Sequence, residues 1–409
     1  MARPDSRCAA TRNPACGYTS AAGGFDAGLE TTIQQLIHRS PPLPDASLLR
    51  EFKRTLIERH VRPENYRGLA RVLTTLVPLT VLWYLAVVSV AQSYWLTAGC
   101  IALMSLFLLR AFVLMHECGH GSLFRTSRFN KACGFLFGIV SGMPQYVWSQ
   151  HHQHHHATNG NWAKYRGPLN IISIDEYAAM TPKQQRRYRY TRNIWLAPLA
   201  GFLYFIVNPR LTWLRGSVGL VGHVIRNKRA QPGKSIRTHA REFETRFWSS
   251  SLEYRHMLWN NLVLLSVWAL MAWAIGPMLF VLCYVVGVSL AGGAGILLFT
   301  VQHNFEHLYA SGDQDWDFTT AALEGTSFLE LPRWLNWFTA DIGYHHIHHL
   351  SARIPSYCLA ACHNENQHLF RAVPRIRLTG IPHACLHILW DVEARRIVSV
   401  AEYQRMSLA

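Results

Sequence analysis

The stretch WLTAGCIALMSLFLLRAFVLMHECGH (95–120) joins a long apolar run to a pair of histidines. A helix that crosses a bilayer needs about 20 mostly apolar residues, and Trp95–Met115 meets that requirement. His116 and His120 follow directly, so we expect them to continue the same helix. Residues four apart lie one turn apart on one helical face. The stretch therefore predicts a membrane-spanning helix that ends in two adjacent imidazoles.

Three further segments are long and apolar enough to span a bilayer: Val72–Ala91, Leu258–Ile275 and Met278–Val301. Only three residues separate 72–91 from 95–115, and only Gly276-Pro277 separates the second pair. Such short connections predict two tight helical hairpins. The predicted fold is an all-α integral membrane protein, with four transmembrane helices in two hairpins and a cytoplasmic helical cap.

Two shorter apolar stretches are predicted to be interfacial helices that lie along the membrane surface. Cys133–Met143 is too short to span, and Ile194–Val207 is marginal and ends at Asn208-Pro209. The alternative is a third pair of spans, made from Ile194–Val207 and 211–224. Arg210 and Arg215 disfavour that pair, because charged side chains are costly inside a bilayer.

The distribution of charge predicts the orientation of the chain. Half of the 409 residues are hydrophobic, and 40 Lys+Arg oppose 24 Asp+Glu. Residues 116–257 hold 20 of these basic residues and six acids, whereas the turns inside both hairpins are uncharged. Lys and Arg are enriched in cytoplasmic loops, so this segment and both termini are predicted to be cytoplasmic. No basic stripe with interleaved aromatic residues indicates nucleic-acid binding.

The first 48 residues contain Gly, Ser, Pro and Ala but no apolar core. They are predicted to be a disordered tail rather than a secretory signal, and residues 49–409 to form the membrane domain. The nine cysteines include no CxxC pair. That pattern favours reduced thiols facing a cytosol-like compartment.

Histidines in four separate places are candidate metal ligands. Neutral imidazole is the commonest nitrogen ligand of transition metals. Nine ligands exceed what one ion coordinates, so their number favours a two-metal centre. They are His116, His120, His152, His155, His156, His303, His345, His348 and His349.

The register of these clusters is ambiguous from spacing alone. In HHQHHH (151–156) the pattern HxxHH fits either 152, 155 and 156 or 151, 154 and 155. The ATNGN that follows favours a folded loop for this tract. HHIHH (345–349) repeats HxxHH and leaves His346 over, while His303 ends the fourth apolar run as His116 ends the second.

Five segments resemble the membrane fatty acid desaturases, and most closely the bacterial acyl-lipid group of the delta-12 type. The resemblance extends over roughly residues 50–390. The segments are HECGHGSLF (116–124), HHHATNGN (154–161), VQHNFE (301–306), WDFTTAALEGTSF (316–328) and IGYHHIHHLSARIPSY (342–357).

The resemblance implies a desaturase with two iron ions held by the nine histidines, with 152, 155 and 156 as the ligands of the second box. It also implies O2 as co-substrate and an external ferredoxin or cytochrome-type electron donor. The substrate would be an acyl chain carried by a lipid, CoA or acyl carrier protein, at a bacterial inner membrane. An apolar tunnel between the spans is expected to hold this chain. The basic cytoplasmic surface would attract an acidic donor or anionic lipids.

Two positions near the predicted site depart from the family pattern. Residues 163–167 (AKYRG) lack the acid that is usual after the second box, and Asp341 replaces a usual Asn. Glu117, Glu306 and Asp341 are candidates for orienting the histidine rings, a role that hydrogen-bond acceptors have around metal ligands.

Two alternatives to desaturation remain open at this point. The same ligands serve related di-iron hydroxylases and acetylenases that act on acyl chains. A membrane zinc peptidase or transporter is a more distant alternative, since HECGH satisfies HExxH with Glu117 as the base. Zinc hydrolysis would leave both HxxHH clusters unexplained.

Overall fold

The computed structural model describes residues 53–55 and 59–408, which are mostly helical. The predicted disordered tail, 1–48, lies outside the described residues and stays a prediction. In chain order the α-helices are α1 (Asn65–Ser89), α2 (Tyr94–His120), α3 (Ser127–Ser141), α4 (Gln145–Thr158), α5 (Ile174–Ala178), α6 (Pro182–Thr191), α7 (Ala197–Phe202), α8 (Asn208–Ala230), α9 (Ile236–Arg241), α10 (Ser251–Ile275), α11 (Pro277–His303), α12 (Phe318–Leu323), α13 (Arg333–Phe338), α14 (His345–Leu350), α15 (Ser356–Glu365), α16 (Ile381–Leu386) and α17 (Val400–Met406). The strands are β1 (Ile172–Ser173), β2 (Phe328–Glu330), β3 (Arg375–Arg377), β4 (His387–Asp391) and β5 (Arg396–Ser399).

The four predicted spans correspond to α1, α2, α10 and α11, and each partner of a predicted hairpin packs against the other. The helices extend beyond the apolar runs, because backbone hydrogen bonding continues where hydrophobicity ends. Helix α2 runs to His120 and stops at Gly121, whose φ of +70° suits a residue without a Cβ. The amide of Gly121 donates to the carbonyl of Cys118 at 3.1 Å. His116 and His120 thus occupy the last turns of α2.

Five helices in the described part of the chain are long and apolar enough to cross a membrane, one more than the sequence predicted. This content identifies an integral membrane protein. The fifth is Ile194–Ala230, in which a 3-10 turn, α7, a π-helical turn (Leu203–Val207) and α8 follow without a break. The alternative of a third pair of spans from this region is therefore wrong. An 18-residue window of this segment has a mean hydropathy of 1.3, against 1.6 to 2.2 for windows of the other four helices.

Helix α7 packs beside the middle of α11 through small residues. The backbone of Gly201 approaches Gly292 and Gly293 so closely that a Cβ at any of these three positions would clash with backbone. Gly292 and Gly293 thus allow α7 to pack closely against α11, as small residues do between helices in membranes. The first apolar half of Ile194–Ala230, predicted to be an interfacial helix, packs against α11 in this contact, because glycines allow the two backbones to meet.

Helix α3, which contains most of the predicted interfacial stretch Cys133–Met143, returns alongside α2. Gly134 of α3 faces Cys118, and the hydroxyl of Ser141 lies 3.7 Å from the sulfur of Met115. Gly142, at φ +78°, ends the helix and turns the chain into α4. Helix α4 thereby comes to lie against the last turns of α2.

Two small sheets depart from the predicted all-α fold. Strand β4 pairs in parallel with β1 and antiparallel with β5, and β2 pairs in parallel with β3. The strands HILWD (387–391) and RIVS (396–399) contain the β-branched and aromatic residues that strands favour. At two to five residues, these strands are too short for their alternation to stand out in sequence. Helix α16 and β2 contact α11, so the segments after the last long helix pack onto that helix.

Candidate metal centre

Four elements bring the nine candidate ligands together. The last turns of α2 carry His116 and His120, α11 ends at His303, and α14 carries the three histidines of the third cluster. The second cluster lies on α4 rather than on the predicted loop. Its HxxHH spacing is i, i+3, i+4, which places three rings on one face of a helix.

The nine rings form two groups, within each of which the candidate ligand atoms lie within 4.8 Å of one another. The first group is His116, His120, His152, His156 and His348. The second is His155, His303, His345 and His349.

In both groups the Nε2 atoms converge. In the first, Nε2 of His152 lies 2.9 Å from that of His116 and 3.0 Å from that of His156. In the second, Nε2 of His303 lies 2.8 Å from that of His345 and 3.1 Å from that of His155. A neutral imidazole has only one N–H to donate, so pairwise hydrogen bonds do not account for atoms that converge in this way. Two ligands at about 2.1 Å from one ion and at a right angle lie about 3 Å apart, so the nitrogens fit one metal ion in each group.

The surroundings keep these imidazoles neutral. Seven of the nine rings are buried, and His120 and His156 are half-buried. Burial, with a smaller contribution from neighbouring histidines, lowers the pKa of the α4 and α14 rings that belong to the two groups well below the ordinary value of 6.5. The neutral ring is the form that binds a metal, so the cluster needs no deprotonation at neutral pH to accept one.

The remaining histidines of the clusters lie elsewhere. His151 and His154 are exposed on the opposite side of α4. His346 is fully buried but faces away from both groups, with its Nε2 3.1 Å from Nδ1 of His363 and its ring against Phe370. The structure thus brings together the nine histidines chosen by resemblance and leaves these three outside both groups.

The three carboxylates proposed to orient the rings have other partners. Glu117 accepts a hydrogen bond from the backbone amide of Ser356 at 2.5 Å, which ties the first residue of α15 to the end of α2. Asp341 pairs with Arg71 at 3.8 Å, and Glu306 pairs with Arg396 at 2.9 Å. Among the described residues none of the three hydrogen-bonds to a histidine of either group. The contact of Glu117 also gives no support to its role as a peptidase base.

An apolar cavity of about 450 Å³ opens beside the two groups. Its wall includes the rings of His116 and His152 from the first group and His345 from the second. Trp148 stacks on His152 with ring centroids 4.6 Å apart, so an aromatic wall continues from the metal ligand. The other lining residues are Leu109, Phe112, Val113, Tyr165, Pro168, Leu169, Thr191, Ala200, Tyr204, Phe205, Gly295, Ile296, Leu298, Phe299, Thr300, Gln302 and Ile342.

Sequence reasoning predicted a tunnel between the spans but not which segment would complete its wall. That segment is α7 with the π-helical turn, through Ala200, Tyr204 and Phe205. The apolar character of residues 194–207 was the sequence signal that this segment would be buried against something, but it did not specify which helix the segment would pack against.

Two aromatic rings border both this cavity and a second, smaller void. Phe112 and Phe205 meet edge to face with centroids 4.6 Å apart. Beyond them lies a void of about 10 Å³, bordered by Leu108, Ser141 and Val288 among others. The two rings therefore form a floor between the cavity and this void, and we call Phe112 and Phe205 the cavity floor.

Comparison with known proteins agrees with this geometry. A family model described as "Fatty acid desaturase" matches residues 92–378, a range that contains all nine histidines. A "Fatty acid desaturase" of Bacillus subtilis is 32% identical over 339 residues, which cover 83% of this chain and 87% of that protein. An "sn-1 oleoyl-lipid 12-desaturase" of Picosynechococcus is 26% identical over 253 residues, or 61% of this chain and 62% of the relative.

Proposed function

Because the chain belongs to the fatty acid desaturase family, we propose that it introduces a double bond into an acyl chain at two iron ions, one in each histidine group. The observation that carries this proposal is that one apolar cavity is bordered by rings from both groups. An acyl chain in that cavity would pass both metal positions.

The reaction removes one hydrogen from each of two adjacent methylenes. These hydrogens, with two electrons and two protons from an external donor, reduce one O2 to two waters. The irons would supply the oxidising chemistry that breaking an unactivated C–H bond demands and that no side chain provides.

The residues of the chain position the substrate and exclude water. The apolar wall favours an acyl chain by roughly 0.8 kcal/mol for each buried methylene. The stacking of Trp148 on His152 fixes one wall, and the cavity floor stops the chain at its deep end. The aligned acyl chain then places the same two adjacent carbons at the metal positions in every turnover. Such positioning of the reacting atoms contributes to the reaction rate.

For the membrane topology we propose four spans, α1, α2, α10 and α11, with the metal centre and both termini on the cytoplasmic face of a bacterial inner membrane. The excess of basic residues over 116–257 supports this orientation. Ile194–Ala230 would not cross, because Arg210 lies near its middle and donates to Asn260 Oδ1 at 2.7 Å. A fifth span would also put the two termini on opposite sides.

We also propose that the acyl chain is presented as a membrane lipid and that an acidic ferredoxin or a cytochrome-type protein supplies the electrons. The name of the Picosynechococcus relative, an oleoyl-lipid desaturase, supports the lipid carrier. The net charge of +16 supports an acidic donor, because opposite charge speeds encounter.

The test is the fatty acid profile of a bacterial host that expresses the chain, measured by gas chromatography–mass spectrometry. We expect a product two hydrogens lighter than its precursor. A product that has gained one oxygen would identify a hydroxylase, and one in which an existing double bond has become a triple bond would identify an acetylenase. His155→Gln should abolish the product and the exposed neighbour His154→Gln should keep it. Loss of the product in both variants, or in neither, would contradict the assignment of His155 rather than His154 as a ligand in the second cluster.

A further inference from the structure

A third cluster of metal-ligating side chains lies apart from the nine histidines. Glu306, His383 and His387 each offer a ligand atom, and these atoms lie within 4.8 Å of one another. Glu306 follows α11, His383 lies in α16 and His387 begins β4. We propose that these three residues bind one divalent cation of the zinc class, in addition to the two ions of the metal centre.

The donor set matches that class of cation. Two imidazole nitrogens and one carboxylate suit Zn²⁺ and its transition-metal neighbours rather than Ca²⁺ or Mg²⁺, which prefer oxygen. His383 is exposed, so the cation and a completing water reach the site from solvent. Zinc sites with three protein ligands and one water are well known.

The tautomer of His387 is set by a backbone contact. Its Nδ1 lies 2.8 Å from the carbonyl oxygen of His383, and only an N–H can donate there. In the neutral ring, Nε2 therefore carries a lone pair, and this atom faces Oε2 of Glu306 at 4.0 Å. Two acceptors that face each other repel unless a positive charge lies between them. The hydrogen bond from Nδ1 to the carbonyl of His383 is of the kind by which proteins orient a histidine that binds a metal through its other nitrogen.

Backbone contacts hold both sides of the cluster in place. The side-chain amide of Asn304 donates to the carbonyl of His387. The amide of Ile397 donates to the carbonyl of Glu306 at 2.8 Å. The cation would thus bridge the segment after α11, which ends in His303, to the segment containing α16 and β4.

Arg396 is a competitor for the same carboxylate. It pairs with Oε1 of Glu306 at 2.9 Å and with Glu402 at 2.5 Å. Because Glu402 remains a partner, Arg396 stays paired when Glu306 binds a cation. The guanidinium charge weakens cation binding, so we expect Arg396→Gln to bind Zn²⁺ several-fold more tightly than the unmodified chain does.

The experiment is equilibrium dialysis of the purified, iron-loaded protein in detergent against Zn²⁺, with zinc and iron both counted by mass spectrometry. Counting both matters because zinc displaces iron on affinity grounds. We expect about one zinc per chain with the iron retained. Glu306→Gln and His383→Gln should lose this zinc at unchanged iron content, and Arg396→Gln should shift its binding to lower free Zn²⁺.

The matched control is His151→Gln, an exposed histidine outside all three clusters, which should leave the zinc count unchanged. His383 is exposed, so its substitution tests the ligand with little risk to folding. Zinc bound only in exchange for iron would overturn the proposal. So would equal zinc binding by the chain and by both the Glu306→Gln and His383→Gln variants. Both readouts are independent of catalytic turnover, so they stand apart from the test of the proposed function.

Discussion

Opening the cavity floor should lengthen the acyl chain that the protein prefers. Phe112 and Phe205 separate the cavity of about 450 Å³ from the void beyond it. In Phe112→Ala the ring is removed and the two spaces join. Leu109, which borders both spaces, lies seven residues before His116 on α2, about 10 Å further along the axis at 1.5 Å per residue. The joined space therefore lies at the far end of the chain from the metal ligands. The Phe112 ring itself also contacts Trp148, which stacks on His152, so the iron content of the variant is measured beside its product ratio.

The size of the effect follows from burial. Each additional methylene that enters the joined space contributes about 0.8 kcal/mol. A chain longer by two carbons gains about 1.6 kcal/mol, which corresponds to about 15-fold in the ratio of kcat/KM values for the longer and the shorter substrate. The assay is competition between two acyl lengths in one reaction, with both products quantified by gas chromatography–mass spectrometry.

The control is Phe107→Ala on the same helix. Phe107 is buried and packs against Trp337 and Phe338, but it does not line the cavity. Both substitutions remove a large packed ring, although Phe107 is buried and Phe112 is half-buried. Removing a buried ring costs roughly 3–5 kcal/mol of stability in soluble proteins, so the control is at least as destabilising as the test variant. Only Phe112→Ala should change the product ratio. A ratio within twofold of the unmodified chain, in active Phe112→Ala protein, would refute the floor as the determinant of chain length.

Three further outcomes are expected. His303→Ala, which removes one of four nitrogens from a buried group, should lower the iron content from about two towards one per chain and abolish product. His307→Ala, whose side chain is 65% exposed, should keep both; equal iron in the two variants would exclude His303 as a ligand. Gly201→Ala should lower the thermal unfolding midpoint because its Cβ would meet the backbone of α11, whereas Gly287→Ala, whose Cβ meets only a leucine methyl at 3.4 Å, should not. The metal-free protein should lose stability as the pH falls below 6.5. The six rings of α4 and α14 that belong to the two groups have lowered pKa values, so the unfolded chain binds more protons in the window from 6.5 down to those values. Each additional proton bound by the unfolded chain lowers the free energy of unfolding by about 1.4 kcal/mol per pH unit. Denaturant unfolding at pH 7.5 and at pH 5.5 measures the total loss. Equal free energies of unfolding at the two pH values would contradict neutral rings in the folded protein.

Local features of the sequence determined the long helices and the spacing of the ligands. Apolar runs of about 20 residues specify a helix wherever the backbone must satisfy its own hydrogen bonds. The HxxHH spacing places three histidines on one face of a helix. The sequence nevertheless predicted a loop for the second cluster. Only the structure showed that this cluster lies on a helix, α4, and which of its rings point inward. His151 and His154 share their helix with three inward rings and are excluded only by the side of α4 that packs.

Tertiary packing decided how the ligands divide and what surrounds them. His155 and His156 are neighbours in sequence, yet they enter different groups, as do His348 and His349. Successive helical residues point about 100° apart, so adjacent rings serve separate groups once four elements converge. The partners of Glu117, Glu306 and Asp341, and the wall contributed by α7, depend likewise on contacts between segments far apart in the chain. Periodicity describes one segment at a time, whereas these contacts arise from shape and charge matched between segments.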